Sequence, residues 1–352
     1  MNFPDLSLSV RIRILSYLPL RDLVQFGNVS NYYHRLIRQT EWHHTISITN
    51  GNIIRLMKVI PQYQFTNFFF PRYPFSWYLF PRLKLSSEDL SNILKLLSDS
   101  NKKQNSLKID ISLYKITDKM FESLTHCTDL NLSGCNQITD KIVKLLGNIS
   151  CLNLCYCNQI TDESIPYLAH CQRLNLSGCQ ITDANLLRHV PHLNLSNTKI
   201  TDHGIKDLKC HTLHLRNCPF ITNEGFRLLS TCYEIDLSRN KQVTDETVSY
   251  LTLCQIVNLS YCLNITDRAL EHLISCHTLL IQSSNVTDAG LKFIRKPLYY
   301  LNIYDCRNIT DFGLMHLECQ IIELSSFYIS DKMITSLQQK MIVRVCNMEE
   351  VD

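Results

Sequence analysis

A single motif recurs along most of this chain, and its spacing limits the folds open to it. The stretch LNLSGCNQITD at Leu130–Asp140 returns as LNLCYCNQITD from Leu152, as LNLSGCQITD from Leu174 and as VNLSYCLNITD from Val257. Aligned on the threonine of Ile-Thr-Asp, or on the serine that replaces it, eleven units follow one another about every 21 residues. A catalytic motif is usually needed once, so the repeat is predicted to be a building block of the fold.

Each unit joins a strand pattern to a helix pattern. Leu130–Ser133 alternates apolar and polar residues, which predicts a strand with one buried face. After a turn, the hydroxyl of Thr139 is expected to cap the first amides of a helix, and Asp140 suits the positive helix end. In the segments that follow, apolar residues three apart, such as Ile165 and Leu168, share one helical face. We expect that face to pack against the strands.

One unit cannot fold alone. About six buried apolar side chains at roughly 2 kcal/mol each do not offset a backbone entropy cost of about 1 to 2 kcal/mol per ordered residue. Stacking covers the open faces of each unit with its neighbours. The sequence therefore predicts an α/β solenoid, a curved horseshoe with parallel strands inside and helices outside, and the period excludes the ankyrin, TPR and HEAT repeats.

From about Ser106 to Val345 the repeat resembles the cysteine-containing leucine-rich repeats. In that family the residue three beyond the second leucine lies inside the turn as part of a stacked ladder. Six units place a cysteine there, and three others have Thr198, Asn240 or Ser284. These ladder cysteines are Cys135, Cys157, Cys179, Cys218, Cys262 and Cys306.

A second cysteine series precedes the first leucine-like residue by three positions. Its members are Cys127, Cys171, Cys210, Cys232, Cys254, Cys276 and Cys319. Ile149, Val190 and Leu298 occupy the position in other units, and these aliphatic substitutes predict a packing role.

The cysteines raise two chemical alternatives, a zinc site and a nucleophilic thiol. Cys151, Cys155 and Cys157 lie close in sequence, but they recur at repeat spacing without a separate pair of CxxC clusters. Most of the sixteen cysteines hold equivalent positions, whereas a reactive thiol needs an environment of its own. No phosphate-binding glycine loop, zincin pattern or nucleophile elbow occurs. We therefore predict no enzyme, no catalytic residue, no metal and no cofactor; a metal-dependent or thiol enzyme is the alternative.

Composition restricts the partners. With 35 basic and 32 acidic residues, the net charge of +3 gives no broad electrostatic reason to expect nucleic acid or an anionic membrane. Arg11 and Arg13 interrupt the only candidate for a signal peptide, and no apolar run of about 18 residues follows. We expect a cytoplasmic or nuclear protein whose cysteines are thiols.

The predicted inner face carries the candidate binding residues. Most units place an Asn-Ser pair there, as at Asn175 and Ser177, and departures cluster in the later units. Aromatic and arginine side chains are favoured anchors in protein interfaces, so these departures predict the contact surface for a protein target. The alternative is ordinary surface variation. The predicted target-binding residues are His214, Arg216, Asp236, Arg239, Tyr261, Leu280, Tyr304 and Asp305.

Ahead of the repeats, Phe3–Trp42 resembles an F-box, most clearly in ILSYLPLRDL. The resemblance implies a small all-α domain whose apolar helices insert into the Skp-type adaptor of a cullin-based ubiquitin ligase. About 40 residues seldom form a stable core alone, which also favours docking. A helical cap for the solenoid is the alternative. The implied adaptor-binding residues are Leu6, Val10, Ile14, Leu18, Pro19 and Leu23.

We predict four segments: an F-box-like domain at 1–44, an irregular linker with degenerate repeats at 45–105, the solenoid at 106–346 and an acidic tail at 347–352. The aromatic run Gln62–Arg82 is expected to cover the end of the array, although a membrane or peptide site is an alternative. The tail MEEVD resembles the chaperone terminus that TPR domains bind, which implies a TPR partner for Met348, Glu349, Glu350, Val351 and Asp352.

The F-box resemblance, ahead of leucine-rich repeats, implies the substrate-recognition subunit of a cullin-based, SCF-type E3 ubiquitin ligase. In this hypothesis the F-box recruits the adaptor and the inner face of the repeats holds the target. The alternative is a ligase-independent scaffold or inhibitor that uses the same face.

Overall fold

The computed structural model of the protein describes residues 41–47, 64–69, 87–101, 107–146 and 149–346. The chain divides into two compact units, Met1–Gln159 and Ile160–Asp352. The predicted adaptor-binding residues Leu6, Val10, Ile14, Leu18, Pro19 and Leu23 lie outside the described residues, as do Met348–Asp352. Within the described ranges, no helix has both the length and the apolar character that crossing a membrane requires.

In the described part of the first unit, five parallel strands pair in sequence order. They are β1 (Glu41–Ser47), β2 (Gln64–Phe69), β3 (Leu107–Asp110), β4 (Cys127–Asn131) and β5 (Cys151–Asn153). The helices are α1 (Ser87–Asn101), α2 (Asp118–Leu124) and α3 (Asp140–Val143), which continues as a 3-10 turn at Lys144–Leu146. β1 crosses residue 44, where the sequence predicts the end of the F-box-like segment, and β2 lies within the predicted linker with degenerate repeats.

The second unit repeats one strand and one short helical segment in strict alternation. Its strands are β6 (Arg173–Asn175), β7 (His192–Asn194), β8 (Thr212–His214), β9 (Glu234–Asp236), β10 (Ile256–Asn258), β11 (Thr278–Leu280), β12 (Leu298–Asn302), β13 (Cys319–Ser325) and β14 (Ile342–Cys346). Each pairs in parallel with the next strand along the chain. The predicted solenoid architecture of parallel strands is confirmed.

The helices of the second unit are short, and all but the last have four or five residues. They are α4 (Ile165–Leu168), α5 (Asp202–Ile205), α6 (Asn223–Arg227), α7 (Asp245–Ser249), α8 (Asp267–Glu271), α9 (Asp288–Leu291), α10 (Asp311–Leu314) and α11 (Asp331–Gln338). Two 3-10 turns, Asp162–Ser164 and Asn185–Leu187, accompany them. Helices this short are not stable by propensity, so packing must hold them.

The core is built from the alternating residues of the strands and one face of the helices. Leu213 and Leu215 are fully buried, whereas His214 between them is half-buried, as a strand with one solvated face requires. Phe226 of α6 and Val248 of α7 are also fully buried and belong to the same core. Apolar burial from both element types is what stabilises each repeat.

The ladder cysteines are hydrogen-bond donors. The Sγ of Cys157 donates to the carbonyl oxygen of Leu132 at 3.2 Å, one repeat earlier. Cys218 and Cys262 make the equivalent bonds to Leu195 and Leu237, also at 3.2 Å. The predicted ladder inside the turn is thus present, and it carries polar contacts between neighbouring repeats as well as packing.

Most Thr-Asp pairs cap helices as predicted, and several also join neighbouring repeats. The prediction is wrong for Thr139, whose hydroxyl makes no cap hydrogen bond, and Thr201 makes none either. Thr266 Oγ1 accepts a hydrogen bond from the backbone N of Arg268 at 3.3 Å, which caps α8. The carboxylate of Asp245, one repeat earlier, accepts from the backbone N of Thr266 at 2.7 Å and from its hydroxyl at 2.5 Å. The same bridge recurs at Asp162–Thr182, Asp202–Thr222, Asp267–Thr287, Asp288–Thr310 and Asp311–Ser330.

Candidate protein-binding surface

The strand residues that alternate with the buried ones form the surface on which the predicted binding residues lie. We call it the strand face; in the β8 repeat it consists of Thr212, His214 and Arg216. The parallel register aligns the residues of successive repeats into columns, so that His214 stands beside Asn194 on one side and Asp236 on the other. Neighbouring strands are about 4.8 Å apart, so side chains in one column are in reach of each other.

The central column is occupied mainly by asparagines that the fold itself uses. Asn194 Oδ1 accepts a hydrogen bond from the backbone N of Ser196 at 2.9 Å, and Asn258 accepts one from Ser260 at 3.0 Å. Asp236 makes the same bond with Ser238 N at 2.8 Å. Its carboxylate therefore has a structural role that the sequence prediction did not assign to it.

His214 and Leu280 interrupt this column, because neither side chain can cap the amide two residues on. The Nε2 of His214 lies 3.3 Å from Oε1 of Glu234 in the next repeat. Glu234 Oε2 also accepts from the hydroxyl of Thr212 at 3.4 Å. Leu280 is a half-buried aliphatic side chain on the same face. Both positions give up an internal hydrogen bond and present a side chain to the surface.

Three more of the predicted binding residues occupy the equivalent turn position in three different repeats, where the backbone is left-handed. Arg239, Tyr261 and Asp305 have φ angles of 61°, 60° and 51°. The backbone N of Arg239 donates to Ser260 O at 2.9 Å, and that of Tyr261 donates to Gln282 O at 2.8 Å. These bonds between repeats hold the turn residues in a regular row beside the strand face.

Contacts between side chains order this row. The guanidinium carbon of Arg239 lies 4.8 Å from the centroid of the Tyr261 ring, within cation–π distance. Tyr261 Oη accepts a hydrogen bond from Gln282 Nε2 at 3.0 Å. Arg216 extends into solvent from the adjacent repeat. Arg239 and Tyr261 therefore present a cation and an aromatic ring at one turn position, and Arg216 adds a second cation from the preceding repeat, one residue before that position.

Asp305 and Tyr304 differ from what the sequence led us to expect. Asp305 is tied into the protein by Ser283 Oγ at 3.1 Å, Arg307 Nε at 3.3 Å and Tyr328 Oη at 3.4 Å. Tyr304 is only 8% exposed, so most of its side chain is buried and offers little surface to a partner.

Two residues that the sequence interpretation missed belong to the same region. Tyr300 stands in β12, and its hydroxyl donates to the carboxylate of Glu323 in β13. Glu323 occupies the central column where most repeats have asparagine, so extending the repeat alignment through β13 would have found it. The partnership with Tyr300 depends on the pairing of β12 and β13 and is not visible in the sequence.

Comparisons with known proteins agree with this geometry. A family model described as Leucine Rich repeat matches residues 123–147, 170–184 and 187–209. Leucine-rich repeats are present in this chain. No curated protein sequence matches it.

Among solved structures, the mouse RP105/MD-1 complex is similar with a TM-score of 0.50 and 16% identity, covering 81% of this chain and 54% of that chain. Internalin InlF from Listeria monocytogenes gives 0.47 with 18% identity, covering 75% of this chain and 90% of its own. Internalin C2 from the same organism gives 0.38 with 20% identity, with coverages of 64% and 90%. The likeness to the mouse structure supports the fold alone.

Most thiols of this chain are buried, which disfavours nucleophilic chemistry. Thirteen of the sixteen cysteines are buried, and only Cys151, Cys155 and Cys346 are half-buried. Burial raises the pKa of Cys254 to about 11 and that of Cys210 to about 12. A thiol with a raised pKa is a poor nucleophile near neutral pH. In the part of the chain that the structure describes, no group of three or more His, Cys, Asp or Glu side chains is arranged to hold a metal.

Proposed function

We propose that this protein is a receptor that binds a protein target on the strand face of the repeats of β8 to β13. The observation that carries the proposal is the concentration of charged and aromatic side chains on consecutive repeats of a surface that the core does not need. Arg216, Arg239 and Tyr261 are the residue types that dominate binding energy in protein interfaces. The similar mouse structure is a complex of RP105 with a second protein, MD-1.

We further propose that the receptor serves a cullin-based ubiquitin ligase. The support is the F-box resemblance of Phe3–Trp42, whose apolar residues Leu18 and Leu23 would contact a Skp-type adaptor. The chain would supply no catalytic group of its own. It would hold the target near a ubiquitin-charged enzyme, where the high effective concentration accelerates transfer.

Affinity purification of the full chain followed by mass spectrometry tests both proposals. A face variant, Arg216→Ala with Arg239→Ala and Tyr261→Ala, should lose the target and keep the adaptor. An N-terminal variant, Leu18→Asp with Leu23→Asp, should lose the adaptor and keep the target. Arg268→Ala is the control for the face variant, because Arg268 is an exposed arginine on helix α8.

The outcomes separate the two proposals. Equal recovery of adaptor by the wild type and the N-terminal variant would exclude the ligase and favour a scaffold or inhibitor. Equal recovery of every partner by the wild type and the face variant would exclude the strand face as the receptor surface.

A further inference from the structure

A cavity of about 220 Å³ lies between two adjacent repeats, where the chain passes from α8 to β11 and from α9 to β12. We call it the α8–α9 pocket. Leu273 and Ile274 line it from the first of these segments, and Phe293 and Ile294 line it from the second. Leu279 of β11 borders it as well and is buried. The surface of the pocket is therefore largely apolar.

The pocket lies where two neighbouring repeats depart from the packing of several others. The apolar residue seven positions after the capping threonine is buried where it is Leu168, Leu229 or Leu251. The equivalent residues Leu273 and Ile294 are only half-buried, and both line the pocket. Apolar side chains that are covered by the core in other repeats are thus open to a ligand here.

The segment after α9 also contains an additional residue. In this repeat Leu298 follows the capping threonine by eleven positions, whereas in the two preceding repeats ten positions separate the equivalent residues. Arg295, Lys296 and Pro297 follow one another in this segment, and all three are exposed. Because Arg295 and Lys296 are also lining residues, they place two cationic groups at the mouth of the pocket.

These two cations are available to a partner. Among the described residues, neither Arg295 nor Lys296 forms an ion pair. The carboxylate of Asp288, at the start of α9, is already bound, because it accepts from the backbone N and the hydroxyl of Thr310, both at 2.7 Å. An approaching carboxylate would therefore be attracted to Arg295 and Lys296.

Backbone hydrogen bonds fix the segments that form the walls. The backbone N of Cys276 donates to Leu273 O at 3.2 Å. In the next repeat the backbone N of Phe293 donates to Gly290 O at 3.0 Å, and that of Ile294 donates to Leu291 O at 3.2 Å. The pocket is thus held open by the fold itself, so a ligand does not have to order it.

The volume limits what can fill the pocket. A cavity of about 150 Å³ accepts benzene, whereas pockets that bury a whole small molecule usually measure roughly 300 to 1,000 Å³. The α8–α9 pocket lies between these values, so it matches one large apolar side chain better than a lipid or a cofactor. Ile274, which is 60% exposed, offers further apolar contact to the chain that carries this side chain.

We propose that the α8–α9 pocket binds a short acidic segment of a partner protein. One large apolar side chain of the segment would fill the cavity, and neighbouring Asp or Glu side chains would pair with Arg295 and Lys296. Leu279, which borders the pocket, points to the opposite side of β11 from Leu280 on the strand face. The site is therefore a second surface, and it does not depend on the proposed receptor function.

The experiment selects random dodecapeptides displayed on phage against the full chain carrying the face variant. This choice removes the side chains of Arg216, Arg239 and Tyr261 from the selection. The recovered peptides are labelled with fluorescein, and their affinities for the unsubstituted chain are measured by anisotropy. We expect a family that combines one large apolar residue with Asp or Glu close to it in sequence. Replacing the apolar residue by alanine should weaken binding about tenfold or more.

Two variants address the cavity and the cations separately. Ser275→Phe adds a ring at a lining position and should weaken binding about tenfold or more at every salt concentration. Arg295→Glu with Lys296→Glu should have a similar effect at about 0.05 M salt and a smaller one at about 0.5 M, because salt screens exposed charges. This second variant changes only exposed side chains, so it tests the proposal even where Ser275→Phe disturbs folding.

The matched control is Lys206→Glu with Lys209→Glu, since both lysines are exposed in the segment that joins α5 to β8. It should leave every affinity within about twofold. Selected peptides that share a basic residue, selected peptides without a large apolar residue, or binding that neither pocket variant weakens would overturn the proposal. None of these results affects the receptor function, which the affinity purification with the face variant tests.

Discussion

The ladder position shows how much a single side chain can do within a repeat. Cys218 and Cys262 each donate a hydrogen bond to a carbonyl oxygen of the preceding repeat. Asn240 replaces the cysteine with a larger polar group, whose Nδ2 donates to Leu215 O at 2.7 Å and Leu237 O at 2.9 Å. Its Oδ1 accepts from the backbone N of Cys218 at 2.7 Å. All these groups are buried, so the position selects for small donors and not only for volume.

Substitutions at Asn240 should separate the polar contacts from packing. Asn240→Ala leaves two buried carbonyls and one buried amide with fewer partners, and it should lower the free energy of unfolding by about 2 to 4 kcal/mol. Asn240→Cys restores a donor toward Leu215 and should recover part of that loss. Urea denaturation followed by circular dichroism measures both changes. Equal destabilisation by alanine and cysteine would mean that only the volume of the side chain matters.

The limits of sequence reasoning are clearest at this scale. The substitutes Thr198, Asn240 and Ser284 are visibly polar in the sequence, but the sequence does not show their different partners. Thr198 donates to Leu195 O of its own repeat at 2.6 Å, whereas Asn240 also donates to Leu215 O of the preceding repeat. Tyr304 illustrates the same limit, because alternation predicts an outward side chain and cannot show that neighbouring repeats bury its ring. Arg239 and Tyr261 were predicted as binding residues, but the sequence does not show that the guanidinium group of Arg239 lies over the ring of Tyr261.

At the scale of the element, an aspartate at the start of several helices is hydrogen-bonded to the start of the next helix. The carboxylate of Asp267, in the first turn of α8, accepts bonds from the backbone N of Thr287 at 2.7 Å and from its hydroxyl at 2.8 Å. Gly290 of α9 explains how the carboxylate fits, since a Cβ there would lie 2.5 Å from Asp267 Oδ1. The sequence predicts each cap from local chemistry, but the bridge depends on the distance between stacked repeats.

Breaking one bridge should therefore destabilise the protein by more than a surface substitution does. Asp267→Ala removes two charge-assisted hydrogen bonds from a partly buried site, and we expect a loss of about 2 kcal/mol in the free energy of unfolding. Asp207→Ala is the matched control, because Asp207 is exposed and its carboxylate has no bonding partner among the described residues; its effect should stay within about 0.5 kcal/mol. If both variants unfold at the same urea concentration, the bridges contribute nothing to stability.

At the scale of the whole molecule, the repeat period and the strand pattern were sufficient to predict a parallel solenoid. They were sufficient because every repeat buries its apolar residues in the same way. A wrong prediction for one repeat therefore does not change the prediction for the others. The binding surface was predictable only in part, since it is defined by departures from the pattern. In the unit Ile160–Asp352, each described strand pairs with its sequence neighbours, so stability should be close to a sum of terms between adjacent repeats.

A cavity within one repeat should then loosen the array locally before it unfolds the whole unit. Leu259 is fully buried, and its backbone N donates to Leu280 O of the next repeat at 2.7 Å. Leu259→Ala should cost about 2 to 5 kcal/mol, because the surrounding side chains relax only in part around the missing atoms. Hydrogen exchange should accelerate most in β9, β10 and β11, whose mutual contacts weaken, and least in β6 and β7. Leu253→Ala, at a position that is 65% exposed, should leave the exchange pattern unchanged. Uniform acceleration from β6 to β14 would instead show that the repeats unfold as one cooperative block. That result would contradict the expectation that each repeat is coupled mainly to its two neighbours.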